Sequence, residues 1–268
     1  MSAAATTMRA AAPASVLANS ATITARNLRR LTRVPTLIAF ATVQPILFVL
    51  LFTYGFGGAV HPPGVERYID YLLPGIFILS IGFGASQTGV AVAEDLATGM
   101  IDRFRSLPIA GSAVLVGRIA ADAVRNLLVI ALIIGVGSLI GFRFHAGPAA
   151  ALAAVALAVA VGLAFSSTNA LLGLIIGDSE SAGLAGLFPV IILVFTSSAL
   201  VPTATMPGWL EAFANVNPVT VSVDALRALC LGGLPTGTAV AKAIAWNAAI
   251  LAITVPLASR RYQRATAA

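Results

Sequence analysis

Lysine is almost missing from this 268-residue sequence: Lys242 stands alone against fifteen arginines. Cysteine is equally scarce, and a single Cys230 excludes an intrachain disulfide framework or a cysteine-based metal cluster. Charge of either sign is thin. Only 10% of residues are charged and 59% are apolar, with a mean hydropathy of +0.96, where a soluble domain carries roughly 25% charged residues. So few charges cannot coat a soluble globule of 27.2 kDa, and the same composition excludes disordered and collagen-like chains. What is present is apolar sequence in long runs, the signature of an integral membrane protein. The net charge of +6 does not point to nucleic acid, because arginines flanking apolar runs are what the positive-inside rule produces.

A helix needs about 20 apolar residues to cross hydrocarbon roughly 30 Å thick. Charge-free stretches, trimmed at their turn residues, predict six spans at about 36–54, 72–93, 119–141, 149–176, 182–201 and 239–258. Strict two-residue alternation, as in an outer-membrane barrel, does not occur. The expected fold class is all-α, an integral membrane protein with six transmembrane helices. Twelve arginines fall before the first span, in the loop between the second and third or at the inner end of the third (Arg125), and after the sixth. Only Arg67, Arg143, Arg227 and the border residue Lys242 fall on the other side. This bias places both termini in the cytoplasm. The expected organisation is a cytoplasmic N-terminal segment 1–34, a single membrane domain 35–260 and a cytoplasmic tail 261–268.

Four segments carry more than topology. Arg26, Arg29, Arg30 and Arg33 share one helical face roughly opposite Leu28 and Leu31, which predicts an amphipathic helix on the inner leaflet; a simple topology anchor fits equally well. In the loop 94–108, Leu96, Met100, Phe104 and Leu107 form one stripe, with Asp95, Asp102 and Arg105 away from it and Pro108 ending the helix. Such a helix gives a partner protein a rigid handle on the third span, although an interfacial helix resting on lipid has the same spacing. Arg118, Asp122 and Arg125 follow at i, i+4 and i+7 and are expected to neutralise one another on one helix face. The segment 205–233 is too apolar for a solvated loop and too broken for a span. Pro207 and Pro218 each begin a short helix and Gly232-Gly233 closes the second. Two helices dipping into the outer leaflet, their backbone shielded by protein, are expected there.

Taken together, the Arg-rich N-terminal helix, the Glu94…Gly99-Met100…Arg103-Phe104…Leu107-Pro108 loop and the Pro207-Gly208-Trp209…Asn217-Pro218-Val219 segment resemble the permease subunit of a type-2 ABC exporter. The resemblance covers essentially the whole chain and is to the daunorubicin-resistance-like group of drug and lipid exporters common in actinobacteria. It implies that the inner loop is a coupling helix docking on a nucleotide-binding ATPase. Glu94, Gly99, Met100, Arg103, Phe104, Arg105, Leu107 and Pro108 would form that contact, together with Arg29, Arg30 and Arg33. It implies further that the outer segment around Pro207, Trp209, Asn217 and Pro218 forms re-entrant helices capping the transport path. The assembly would hold two permeases, identical or paralogous, and two ATPase subunits using ATP and Mg, in a bacterial inner membrane.

Missing chemistry sharpens this reading. A P-loop needs Lys followed by Ser or Thr, and Lys242 is followed by Ala243, so ATP hydrolysis belongs to another chain. Ion-coupled carriers keep ionisable groups inside their spans; here the span centres hold none, with Asp122 and Arg125 toward the inner end. A proton-coupled carrier or a non-transporting scaffold is the alternative. His61 and His145 lack partners at metal-ligand spacing, and no catalytic, cofactor or metal site is assigned. Neutral polar residues within the spans, Gln44, Gln87, Thr88, Ser166, Asn169, Ser197 and Asn247, are the candidates for lining a path suited to an amphipathic or lipophilic cargo. Gly137–Gly141 and Gly173–Gly177 match GxxxG, but 24 glycines make such matches expected by chance.

Overall fold

The computed structural model describes residues 35–99, 111–233 and 236–265, with Thr22, Thr24 and Ala25. Among the described residues there are eight α-helices, one 3-10 turn and no strand. The helices are α1 (Pro35–Phe56), α2 (Tyr68–Ala97), α3 (Gly111–Ile140), α4 (Pro148–Ile176), α5 (Ser179–Phe195), α6 (Gly208–Val216), α7 (Pro218–Leu231) and α8 (Thr236–Ala265). A helix stands over every predicted span. Four of them, Tyr68–Ala97, Gly117–Ile140, Pro148–Ile176 and Thr236–Gln263, are long and apolar enough to cross a membrane, while Ala41–Phe56 and Ser179–Phe195 are shorter apolar stretches.

α2 is the centre of the bundle and packs against α1, α3, α4, α5 and α7. Its apolar stretch is 72% buried, against 17% for that of α8. A membrane helix that is enclosed on all sides must let neighbouring backbones approach, and small residues allow this. A Cβ on Gly173 of α4 would lie 2.4 Å from the carbonyl oxygen of Gly89 on α2, and one on Gly75 would lie 2.1 Å from that of Ala199. Gly173 thus serves a helix crossing, whereas Gly177 of the same GxxxG match has φ +75° and ends α4 by donating to the Gly173 carbonyl at 3.0 Å. The next helix starts on Asp178, whose carboxylate accepts from the Ser181 N–H at 2.8 Å. That bond holds the Asp178 carboxyl below its ordinary range.

Three boundaries differ from expectation. The span expected to reach residue 201 stops at Phe195, because Ser197 turns the chain: its hydroxyl donates to the Val194 carbonyl at 2.6 Å and accepts from the Ala199 N–H at 3.1 Å. The helix expected to open at Glu94 does not open there. Glu94–Ala97 are the last turn of α2, Thr98 donates back to the Glu94 carbonyl at 2.7 Å, and Gly99 terminates it at φ +63°. Leu96 packs with α2 against a small cluster containing Leu174 and Tyr262, and Met100, Arg103, Phe104, Arg105, Leu107 and Pro108 lie outside the described residues. So do Arg29, Arg30 and Arg33, although nearby Thr24 donates to the Gly117 carbonyl at 3.0 Å. Finally, α8 continues to Ala265, well past the expected end at 258, since nothing between Ser259 and Arg264 breaks a helix.

The short helices follow the prolines. Pro207 caps α6 and Pro218 is the first residue of α7, a position where the missing N–H costs nothing. Asn217 joins them, accepting from the Val219 N–H at 2.8 Å and donating to the Leu193 carbonyl of α5 at 2.8 Å. Gly232 ends α7 at φ +71°. α6 shows Trp209, Phe213 and Val216 at the surface, while α7 is buried.

One charged residue ties this layer to the core. Arg227 of α7 is only 5% exposed. It donates to the carbonyls of Tyr71, Ser198 and Ala199, to the Ser198 hydroxyl at 3.0 Å and to the Asp224 carboxylate at 3.0 Å. Its guanidinium sits 3.5 Å from the Tyr71 ring centroid, and the Tyr71 hydroxyl bonds the same Ser198 carbonyl at 2.8 Å. All three guanidinium nitrogens are engaged.

Gly173→Ala is expected to cost about 1–3 kcal/mol by forcing α2 and α4 apart. Gly135→Ala, where a Cβ meets nothing within 4 Å, should be neutral or stabilising by up to about 1 kcal/mol; thermal melts in detergent compare the two. Arg227→Leu removes the donor shared by the Tyr71, Ser198 and Ala199 carbonyls and the Asp224 carboxylate and is expected to destabilise by on the order of 3 kcal/mol, read as an early melt with the α6–α7 segment becoming protease-sensitive.

Candidate functional site

A cavity of about 590 Å³ opens between α1, α2 and α3 toward the end where α2 stops, with Leu187 of α5 closing one side. Its volume falls in the range of small-molecule sites. Phe48, Phe83, Val129 and Leu187 form apolar wall, and Gln44, Ser80, Gln87, Thr88, Glu94, Arg118, Asp122, Arg125 and Asn126 supply polar groups. Pro45 also lines it; without an N–H it cannot donate to the carbonyl of Ala41, so the helix ladder is interrupted at the cavity wall.

The charges pair differently from the expected self-neutralising ladder. Arg118 does not turn to Asp122 on its own helix but crosses to Asp95 of α2, Nη2 to Oδ2 at 2.6 Å. Asp122 instead takes Arg125 at 3.3 Å and the Thr88 hydroxyl of α2 at 2.6 Å. The reason is reach: α2 runs beside α3 and presents Asp95 and Thr88, and these contacts fasten the two helices. The Asp122–Arg125 pair lies within the α3 helix, eleven and fourteen residues after Gly111, in its first half as the sequence reading expects.

Arg118 Nη1, Arg125 Nε and Nη2, Gln44 Nε2, Asn126 Nδ2 and the Ser80 hydroxyl are shielded from water and have no hydrogen-bond partner among the described residues. A Cβ on Gly84 would lie 3.2–3.3 Å from Nη2, Cζ and Nε of Arg125 alike, so this guanidinium lies flat on the glycine.

Of the candidate path residues, the structure brings Gln44, Gln87 and Thr88 together in this cavity. It puts the others elsewhere. Ser166 is buried in α4 with its hydroxyl unpartnered, and Asn169 donates to the Phe165 carbonyl at 2.9 Å against Gly186 of α5. Ser197 closes the turn described above, and Asn247 of α8 donates to the Ala243 carbonyl at 2.7 Å. Trp209 is 75% exposed on α6. Ser80, Arg118, Arg125 and Asn126 were missed as cavity residues. Their signal is in the sequence: Arg118, Asp122, Arg125, Asn126 and Val129 follow helical spacing on one side of α3, but spacing does not say what that face meets.

A helical bundle with several membrane-length helices, short helices at one end and a polar cavity at the other is the architecture of a multi-pass membrane transporter. The ABC-2 type transporter profile matches residues 19–231, and the chain belongs to that family. It is 30% identical over 95% of its length to the daunorubicin resistance ABC transporter permease protein DrrB1 of Streptomyces coeruleorubidus, covering 90% of that protein. It is also 27% identical, over 84% of its length and 81% of the relative, to the probable doxorubicin resistance ABC transporter permease protein DrrC of Mycobacterium tuberculosis. Doxorubicin resistance ABC transporter permease protein DrrB of the same species is 30% identical over 69% of this chain and 66% of its own.

Asp122→Leu leaves the Arg125 charge uncompensated and is expected to destabilise by on the order of 3 kcal/mol. Asp122→Leu combined with Arg125→Met should recover most of that loss. A double-mutant cycle from detergent melts measures the coupling.

Proposed function

We propose that this chain is the membrane-spanning permease subunit of an ABC exporter that moves a hydrophobic or amphipathic compound outward. The observation that carries the proposal is a cavity of mixed polar and apolar lining along the second half of α2, from Ser80 to Glu94, in the helix that residues 100–110 connect to α3. A partner that grips this connection moves the two helices forming the cavity wall. In this reading α1 to α5 and α8 are the six spans of one membrane domain, and α6–α7 cap the path from outside. The N-terminal segment and the tail lie in the cytoplasm of a bacterial inner membrane, as the arginine bias supports. ATP and Mg belong to a separate nucleotide-binding subunit, and a second permease, identical or paralogous, completes the assembly.

The drug-resistance names of the relatives support a lipophilic cargo, and the apolar wall of Phe48, Phe83, Val129 and Leu187 agrees with one. Lipid, glycolipid and antibiotic fit the same walls. Docking on the ATPase is assigned to Glu94, Gly99, Met100, Arg103, Phe104, Arg105, Leu107 and Pro108, with Arg29, Arg30 and Arg33 beside them. Capping is assigned to the Pro207, Trp209, Asn217 and Pro218 segment.

Phe104→Ala and Arg103→Ala, in the chain co-expressed with its ATPase, are expected to lower efflux of a lipophilic dye at least about tenfold while the ATPase still hydrolyses ATP. Tenfold corresponds to about 1.4 kcal/mol of lost coupling. Unchanged efflux removes the docking assignment, and failure of any ATPase to co-purify removes the exporter reading.

A further inference from the structure

Three consecutive residues near the start of α3 are each held by a different segment of the chain. The Gly117 carbonyl accepts from the Thr24 hydroxyl at 3.0 Å. Arg118 crosses to Asp95, close to the end of α2, at 2.6 Å. Ile119 packs on the cluster of Val92, Leu174, Ala258 and Tyr262, which brings in α4 and the last turns of α8. Of these three ties, the ion pair stands at the limit of the cavity. The lining runs along α2 from Ser80 to Glu94 and along α3 from Arg118 to Val129. Arg118 is thus the first lining residue of α3, and Asp95 directly follows the last of α2, so their bridge crosses from wall to wall at that end. Both side chains keep some exposure, 12% for Arg118 and 20% for Asp95. A pair at such a border can exchange its bond for water, which the enclosed Arg227 set cannot do without stranding a charge. About two turns deeper along α2, Thr88 donates to the Asp122 carboxylate at 2.6 Å, and both residues are buried. The two helices are therefore joined by a deep bond that stays dry and a rim bond that water reaches.

We propose that the Asp95–Arg118 bridge is a gate of this cavity, at the end where residues 100–110 join α2 to α3. Closed, it holds the two walls together as they stand in this structure. A pull on the connection that moves the start of α3 away from α2 breaks this bridge first, because water replaces its bond, while the Thr88–Asp122 bond holds and acts as the pivot. The cavity then opens to water at that end with its deeper walls still joined, a two-state movement of one helix end. That the gate passes cargo, and that this end faces the cytoplasm, rests on the permease reading above. That the bridge closes the cavity does not.

The test measures how fast a membrane-impermeant maleimide reaches the cavity in the full chain. Cys230 is the only native cysteine and is buried, so Ser80→Cys places one reactive thiol on the cavity wall. In inside-out vesicles this thiol is expected to label slowly. Adding Asp95→Ala, which leaves the Arg118 side chain in place, should speed labelling about fivefold, the population shift given by the loss of one hydrogen bond. Asp95→Glu keeps the charge and should label as slowly as the parent. Equal rates with and without Asp95→Ala overturn the gate. Fast labelling in Asp95→Glu overturns it too, since the charge pair is then not what closes the cavity. Faster labelling accompanied by modification of Cys230 marks a loosened bundle and also overturns it. Acceleration confined to right-side-out vesicles supports the gate and overturns the cytoplasmic placement of this end. Acceleration in a chain that neither co-purifies with an ATPase nor supports efflux supports the gate and fails the permease reading alone.

Discussion

Arg227 is the point on which the arrangement of the bundle turns. A guanidinium removed from water must find partners for every N–H or cost several kcal/mol, and this one finds them on two separate stretches of backbone and on two side chains. It joins the first turn of α2, the chain reversal after α5 and its own helix α7 through Tyr71, Ser198, Ala199 and Asp224. The Ser198 and Ala199 carbonyls are there to be capped because α5 stops short at Phe195. The turn after it would otherwise leave buried backbone acceptors unmet. A single side chain thus makes a broken segment admissible and holds α6–α7 over one end of the bundle.

The opposite end handles its arginines in the contrary manner. Arg118 and Arg125 each make one ion pair and leave other N–H groups unmatched beside a cavity. Saturated Arg227 is enclosed by packed surroundings. Arg118 fastens α3 to Asp95 of α2, and Arg125 pairs with Asp122 on α3 itself while lying against Gly84 of α2. A tightly crossed helix such as α2, seated on Gly89, Gly173, Gly75 and Ala199, transmits displacement along its length, because close-packed interiors deform little.

The helices were legible to within a few residues because length and absence of charge are strong one-dimensional signals in a membrane chain. The outer pair was legible too, since Pro207, Pro218 and Gly232 punctuate backbone locally. The boundaries that slipped did so for tertiary or local polar reasons: Ser197 ends α5 with its own hydroxyl, and Gly99 lets α2 run on through Glu94. Four of the seven candidate path residues lie away from the cavity. Asn169, Ser197 and Asn247 satisfy nearby carbonyls in their own helices or turns, an alternative that a buried polar residue takes whenever one is within reach. Nothing in the spacing of Asp95, Thr88, Asp122 and Arg118 says which carboxylate takes which arginine, because that depends on how α2 lies beside α3.

The sequence by itself determined that this is a helical membrane protein, where its helices run, which end gathers the arginines and, with its motifs, to which family of transporters it belongs. These are properties of composition and of spacing along the chain, and each is expressed by local rules. Tertiary structure alone decided the partners of the few charges: that Arg227 becomes a lock and that Arg118 and Arg125 border a cavity of mixed polar and apolar lining. It also decided that Gly173 is a crossing point instead of a chance match. Charge pairing in low dielectric and close backbone contact are short-range effects between residues far apart in sequence, and they exist only once the helices have been brought together.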